Sequence, residues 1–231
     1  MPSFIRDRVS PRSAIVSTFA ASLVFSLLCS LSIQESLAGT QIAATADAIR
    51  PLVVGDDAPH FVVRTVDDQA FAFDPAALEK PAIIITFRGG WCPFCNLHLS
   101  ELRTVITAIA DLGVDVLFLS GDRPELLYTS LAADTQQDIK DLDYRVYSDA
   151  DAQAAIAFGI AFKAADKTIN GRLAKGQDIA DSSMLRHGVL PVPAVYAIDR
   201  DGKIAFSFVE SNYRVRLPAD ELLAAAQELV Q

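Results

Sequence analysis

The chain has 231 residues, a formal net charge of −9 and only three cysteines. An acidic surface without basic runs argues against a nucleic-acid partner and against binding to anionic membrane surfaces, because both carry negative charge. Three cysteines are also too few for a scaffold that disulfides hold together in a chain of this size.

Residues 1–38 have the pattern of a signal peptide. Three arginines precede an apolar run over residues 14–33, and the small residues Ser36 and Ala38 place the cut before Gly39. An uncleaved inner-membrane anchor is the alternative, because the apolar run approaches the ~20 residues that span a bilayer. Contact with a membrane is expected only in that case. Either way the rest of the chain is predicted to be periplasmic or secreted, where disulfides persist.

The elements that follow, in chain order, alternate between strand and helix patterns. After a short tether over residues 39–51, strands are predicted over residues 61–65, 70–73, 82–87, 114–120, 144–147, 194–198 and 203–208. Helical spacing predicts helices over residues 93–112, 124–135, 149–158 and 218–230. Residues 162–191 show no clean period and are predicted to be an irregular excursion. This order predicts one α/β domain over residues 52–231, a mixed sheet with helices on both faces.

A pair of cysteines two residues apart follows directly after the apolar strand at 82–87. Pro93 suits the first position of a helix, which places Cys92 at the helix N-terminus, where unpaired amides and the helix dipole favour a thiolate. Cys95, one turn on, is placed to attack whatever forms on Cys92. Because Cys29 leaves with the signal peptide, these two cysteines are predicted to be a redox pair on a thioredoxin-like fold.

Three stretches closely resemble the peroxiredoxin-like group of the AhpC/TSA (alkyl hydroperoxide reductase and thiol-specific antioxidant) family. They are residues 87–97, residues 190–194 running into 198–202, and the tail at 213–217. The resemblance implies a thioredoxin-like fold and reduction of hydroperoxides by a cysteine that becomes sulfenic acid. It also implies re-reduction by a thioredoxin-like partner, with no bound cofactor and no metal.

One departure from the family pattern leaves the roles of the two thiols open. Typical peroxiredoxins carry Pro-x-x-x-Thr-x-x-Cys, and against that signature Cys92 takes the place of the threonine and Cys95 that of the peroxidatic cysteine. By analogy with thioredoxin, the attacking thiol is Cys92. We favour Cys92, because it is expected to be the more exposed thiol and to lie at the positive end of the helix dipole.

Other residues around the pair are predicted to support it. Arg88 and the backbone amides around Gly90 supply a cation and hydrogen-bond donors, unless Arg88 simply reaches to solvent from the strand end. Trp91 shields the sulfur or is an aromatic at the edge of the core. The resemblance places Pro193 beside the cysteines with a cis peptide bond. His98 is predicted to face solvent on the helix, with tuning of a thiol pKa as the alternative.

The leading function from the sequence is a thiol-dependent peroxidase acting on hydrogen peroxide or organic hydroperoxides. A periplasmic thiol-disulfide oxidoreductase is the alternative, since both use one fold and one cysteine pair. A copper metallochaperone that binds through the two thiolates and His187 is a third hypothesis. Arg186, Arg214 and Arg216 are further candidate cations if their loops fold over the site.

Overall fold

The computed structural model describes residues 41–176, 179 and 182–231. The predicted signal peptide, residues 1–38, lies outside the described residues. Within them, the strands are β1 (Phe61–Arg64), β2 (Ala70–Phe73), β3 (Ala82–Phe87), β4 (Asp115–Ser120), β5 (Arg145–Ser148), β6 (Ala161–Lys163), β7 (Val189–Pro191), β8 (Ala194–Ile198) and β9 (Ile204–Val209). The helices are α1 (Pro93–Asp111), α2 (Ala133–Ile139), α3 (Gln153–Ala157), α4 (Asp166–Leu173), α5 (Ser183–His187) and α6 (Ala219–Glu228).

Seven of these strands form one mixed sheet in the order β2-β1-β5-β4-β3-β8-β9, which confirms the predicted fold class. β3, β4 and β5 are parallel, whereas β8 pairs antiparallel with both β3 and β9. Since parallel strands end at the same edge of a sheet, the loops that follow β3, β4 and β5 meet there. In open α/β sheets this edge is where functional residues gather.

The sheet separates two apolar cores because alternate residues of β3 point to opposite faces. Ile83 and Ile85 pack with Leu102 of α1 and Leu222 of α6, whereas Ile84 packs on the other face with aromatic residues. Every residue of β3 is buried, as its continuous apolar run predicts for a strand covered on both sides.

The predicted helix over residues 124–135 is wrong. A 3₁₀ turn, Pro124–Leu126, comes first, and α2 begins only at Ala133. The break is held from outside the segment, because the Asn96 side chain accepts a hydrogen bond from the Ala132 amide at 2.8 Å. A capping contact from a residue on another helix leaves no local signal in the sequence.

The excursion over residues 162–191 is not irregular, which corrects the prediction. It contains α4 and α5, and its two ends pair antiparallel as β6 and β7, with Ala161 opposite Pro191. A pairing between residues so far apart along the chain carries no short-range period.

The first described residues lie along the antiparallel pair of β6 and β7. The Ala43 amide donates to the Ala161 carbonyl at 2.9 Å, and the Lys163 amide donates to the Ala43 carbonyl at 2.8 Å. The Leu52 amide donates to the Phe158 carbonyl at 3.1 Å. The described part of the segment predicted as a tether therefore packs along the domain.

Among the described residues, none of the helices combines the length and the apolar character that crossing a bilayer requires.

Candidate active site

The cysteine pair lies at the junction between β3 and α1. Cys92 is the N-cap of α1, Pro93 is at its first turn, and the amides of Cys95 and Asn96 donate to the Cys92 carbonyl at 3.0 and 3.1 Å. Gly89 has φ of +138°, a conformation that favours glycine and turns the chain between the strand and the helix. Helix α1 therefore begins at Pro93, as the sequence predicts, and the turn at Gly89 leads the chain into it.

Both thiols are free and buried: Cys92 is 0% exposed and Cys95 1%. The expectation that Cys92 is the exposed thiol is therefore wrong. The reason is that two distant segments pack over the loop. Arg172 of α4 stacks on Trp91, with its guanidinium carbon 4.4 Å from the ring centroid, and Tyr213 of the C-terminal tail meets Phe94 edge-on at 5.6 Å.

The two sulfurs have opposite electrostatic environments. A hydrogen bond from the Cys95 thiol lowers the pKa of Cys92 to about 6, with Arg216 and Arg88 adding to the effect and burial opposing it. Burial, together with the neighbouring Cys92 thiolate, raises the pKa of Cys95 well above its ordinary value. Near neutral pH the pair is therefore a Cys92 thiolate accepting a hydrogen bond from a Cys95 thiol, and the thiolate is the form in which a cysteine acts as a nucleophile.

Two arginines hold positive charge at the pair. Arg88 is 5% exposed, which excludes its alternative as a solvent-reaching side chain, and its guanidinium carbon lies 4.6 Å from the Tyr213 ring centroid. Burial lowers the pKa of Arg88, and the two cysteines oppose that shift. Arg216 Nη2 lies 3.6 Å from Cys95 Sγ as its hydrogen-bond donor. Of the three cations considered in distant loops, Arg216 therefore reaches the thiols.

The other two cations have different surroundings. Arg214 lies over the Phe94 ring at 5.8 Å, at the rim of the site. Arg186 donates instead to the carboxylate of Asp151 at 3.1 Å and to the Ala150 carbonyl at 3.5 Å. Arg186 is therefore not placed with the thiols.

His98 is buried, so the prediction that it faces solvent is wrong. Burial lowers its pKa to about 4, and a neutral ring facing a carbonyl must place a proton on the facing nitrogen. Nε2 therefore donates to the Leu217 carbonyl at 3.0 Å. Leu217 directly follows Arg216, so His98 fastens the tail that carries the arginine.

Three residues that the sequence did not single out hold the active-site loop. Asp122 Oδ2 accepts from the Gly90 amide at 2.6 Å and from Ser130 Oγ at 2.8 Å. Asn96 Nδ2 donates to the Gly90 carbonyl at 2.6 Å. The Gly90 amide is thus engaged with Asp122, which corrects the prediction that it serves as a donor to peroxide.

Close packing also explains why position 90 is a glycine. A Cβ atom there would lie 2.2 Å from Ser130 Oγ, too close for any side chain. One sequence signal could have found Asp122: it lies two residues beyond β4, the strand parallel to β3, at the same edge of the sheet.

Pro193 follows β7 with a trans peptide bond, so the expected cis bond is wrong. With the trans bond, the backbone groups around Pro193 form hydrogen bonds. Thr86 Oγ1 donates to the Val192 carbonyl at 3.2 Å, the Ala194 amide donates to Thr86 Oγ1 at 3.2 Å, and the Pro193 carbonyl accepts from the Glu210 amide at 3.1 Å.

The described residues bring no three His, Cys, Asp or Glu side chains together as a metal site. His187, the ligand that the copper hypothesis requires, bonds through Nε2 to the Ala150 carbonyl at 2.7 Å rather than to either thiol.

A reduced dithiol at the start of a helix, following a central strand of a mixed sheet, defines a thiol-based oxidoreductase with a thioredoxin-like fold. The family model of the AhpC/TSA family matches residues 54–207, and the chain belongs to that family.

Several solved structures with a similar fold are peroxiredoxins or peroxiredoxin-like proteins. A peroxiredoxin-like protein from Aquifex aeolicus is 22% identical, with a TM-score of 0.57, over 82% of this chain and 98% of that one. Reduced Prx3 from Vibrio vulnificus, solved in complex with hydrogen peroxide, is 16% identical, with a TM-score of 0.58, over 76% of this chain and 99% of that one.

A curated relative by sequence is of another kind. The thiol-disulfide oxidoreductase ResA from Bacillus anthracis is 20% identical over 164 residues, which cover 71% of this chain and 74% of the relative.

Proposed function

We propose that this protein is a thiol peroxidase that reduces hydrogen peroxide or organic hydroperoxides through Cys92. The observation that carries the proposal is the burial of both thiols, at 0% and 1% exposure. A protein disulfide has to bring a whole surface against the attacking sulfur, whereas a hydroperoxide is small enough to enter an enclosed site. The peroxiredoxin-like neighbours support the same reading.

The proposed first step uses the Cys92 thiolate. Its sulfur attacks the terminal oxygen of the hydroperoxide, the O–O bond breaks, an S–O bond forms, and Cys92 becomes a sulfenic acid. The alkoxide, or hydroxide from hydrogen peroxide, leaves and takes a proton from solvent. The cation of Arg88 faces the charge that develops in this step, and its Nε has no hydrogen-bond partner among the described residues.

The proposed second step uses Cys95. Its sulfur attacks the sulfenic sulfur of Cys92, a disulfide forms, and the hydroxyl group leaves with the Cys95 proton as water. Two electrons and two protons from an external dithiol then restore both thiols. A thioredoxin-like protein is the proposed reductant. In a yeast mitochondrial 1-Cys peroxiredoxin with a similar fold, the thiol is resolved via glutathione/thioredoxin systems.

The second candidate is a thiol-disulfide oxidoreductase, which the similarity to ResA favours. Cys92 would then attack a protein disulfide and Cys95 would resolve the mixed disulfide. This reaction needs the tail and α4 to move away from the loop, since they pack on Trp91 and Phe94 on either side of Cys92 in the reduced structure.

Stopped-flow oxidation of the reduced protein by hydrogen peroxide separates the two functions. A peroxidase is expected to react at least about 100-fold faster than free cysteine, equivalent to about 2.7 kcal/mol of transition-state stabilisation. Cys92→Ser is expected to abolish the reaction, and Cys95→Ser to retain the first step and accumulate sulfenic acid. A rate equal to that of free cysteine, with rapid reduction of a protein disulfide, would establish the oxidoreductase instead.

We also propose export, with residues 1–38 removed as a signal peptide and a domain over residues 52–231 that acts in the periplasm or outside the cell. N-terminal sequencing of the exported protein is expected to begin at Gly39. Retention of residues 1–38 in a membrane fraction would replace cleavage by the anchor.

A further inference from the structure

A groove of about 560 Å³ runs between the first turn of α1, the tail and α4. Its α1 and tail side is formed by Pro93, Phe94 and Tyr213. Pro93 directly follows Cys92, so the groove begins one residue along the chain from that cysteine. Its volume lies in the range of roughly 300–1,000 Å³ that small-molecule sites occupy.

The opposite side of the groove is cationic. Among the residues that the structure describes there, each charged side chain lining the groove is positive: Lys167, Arg172 and Lys175. Arg214 adds a fourth cation at the rim, 5.7 Å from the Tyr213 ring centroid. The chain as a whole has a net charge of −9, so the positive charge of the groove is opposite in sign to the net charge of the protein. Charge complementarity therefore indicates an anionic ligand.

The two sides together select one ligand class. Phe94 and Tyr213 meet edge-on and offer aromatic surface to an apolar body, while the lysines of the opposite side face a negative group. A ligand with a carboxylate at one end and an apolar body at the other matches both sides. Hydrogen peroxide, which has neither, would gain nothing from this surface.

We propose that this groove binds organic hydroperoxides that carry a carboxylate, and that it makes them preferred substrates; the proposal rests on the peroxidase function. The carboxylate lies at Lys167 and Lys175, and the hydroperoxide end reaches past Pro93 to Cys92. There the terminal oxygen and its hydrogen pass to the sulfur, the O–O bond breaks, and the alkoxide takes a proton from solvent to leave as the alcohol.

A matched pair of substrates tests the proposal on the full-length mature protein. Cumene hydroperoxide with a para carboxylate is compared with its methyl ester, and kcat/KM is measured for each. We expect the acid to be preferred about tenfold at low ionic strength, and the preference to fall as salt screens the cations. Equal values for the acid and the ester at low salt would overturn the proposal.

Variants assign the preference to the groove. In Lys167→Gln/Lys175→Gln the acid-to-ester ratio is expected to fall to about one, since both lysines lose their charge. The matched control is Lys80→Gln/Lys140→Gln, which removes the same charge from two exposed lysines outside the groove and keeps the wild-type ratio. An equal fall in the control would show that only net charge matters and would overturn the proposal.

A binding measurement separates failure of this proposal from failure of the peroxidase function. Trp91 is the one tryptophan of the chain, and Arg172 stacks on it. An anion that attracts Arg172 is therefore expected to change its fluorescence. Para-isopropylbenzoate, which has the carboxylate but no peroxide, should titrate this signal, while its methyl ester should not. Binding without any peroxide reduction would retain the groove and reject the peroxidase; peroxide reduction without binding would reject the groove alone.

Discussion

At Cys92 three neighbours act on one sulfur: the Cys95 thiol donates a hydrogen bond to it, and the cations of Arg216 and Arg88 stabilise its negative charge. The same arrangement keeps Cys95 protonated, because a second buried thiolate beside the first would be repelled. Once Cys92 carries oxygen instead of a negative charge, that repulsion ends while Arg216 remains beside Cys95. The charges around the pair therefore support the order of the two steps in the proposed mechanism.

The ultraviolet absorbance of the thiolate tests this assignment. Because the folded pKa of Cys92 lies at about 6, absorbance is expected to rise with pH through that value and to be lost in Cys92→Ser. In Cys95→Ala the transition should move upward in pH, because the thiol that donates to Cys92 is gone. A transition near the ordinary cysteine value in the wild type would contradict the assignment.

Arg216 is expected to act as a positioning residue through Cys95. Arg216→Gln should raise the pH of the thiolate transition by about 1, as loss of a close opposite charge does, and slow disulfide formation after oxidation. Arg216→Lys keeps the charge and should recover part of the shift. Arg214→Gln, a change at the adjacent cation on the rim, is the control and should leave the pH of the transition unchanged. An equal shift in this control would show that the net positive charge of the region, rather than Arg216 itself, sets the pKa of Cys92.

At the scale of elements, the loop between β3 and α1 is held by hydrogen bonds from the loop after β4 and from α1 itself. Asp122 binds the Gly90 amide and Ser130, and Asn96 binds the Gly90 carbonyl and the amide that opens α2. The carboxyl ends of two parallel strands are thus joined through one glycine. This connection positions the first turn of α1 and with it the Cys92 sulfur.

Gly90→Ala is expected to lower the free energy of unfolding of the reduced protein by about 1–3 kcal/mol, the cost of overpacking a tight site. The reason is the 2.2 Å approach of its Cβ to Ser130 Oγ. Urea denaturation measures the loss. Gly171→Ala in α4 is the matched control, since its Cβ meets nothing within 4 Å, and alanine there is expected to be neutral or stabilising. Equal stability of the two variants would contradict the packing argument.

At the scale of the whole molecule, the site lies in the first half of the chain and is closed by two segments of the second half. α4 covers Trp91 through Arg172, and the tail covers Phe94 and Arg88 through Tyr213. His98 bonds to the tail 119 residues away, and Arg216 bonds to Cys95 across 121 residues. The proposal of a small oxidant rather than a protein disulfide rests on this closure.

Removal of the Tyr213 ring is expected to open the site. Tyr213→Ala should increase the rate at which the neutral reagent dithiodipyridine modifies Cys92 by about tenfold, as expected for a local opening made easier by about 1.4 kcal/mol. Tyr213→Phe keeps the ring and should remain as slow as the wild type. If the alanine variant is also slow, the tail does not control access.

Much of the fold follows from local patterns. The hairpin of β1 and β2, the central strands β3 and β4, the helix α1 and the hairpin of β8 and β9 all have short-range periods, and the structure confirms them. The excursion and the interrupted helix before α2 do not, because each is set by hydrogen bonds to residues elsewhere in the chain.

The sequence by itself determined where the cysteine pair stands along the chain, since an apolar strand and the helix-starting Pro93 place Cys92 at the start of α1. Only the tertiary structure decided that both thiols are enclosed, that His98 is buried and that Arg216 reaches Cys95. Burial and long-range charge depend on which distant segments pack together, and no local spacing of residues records that.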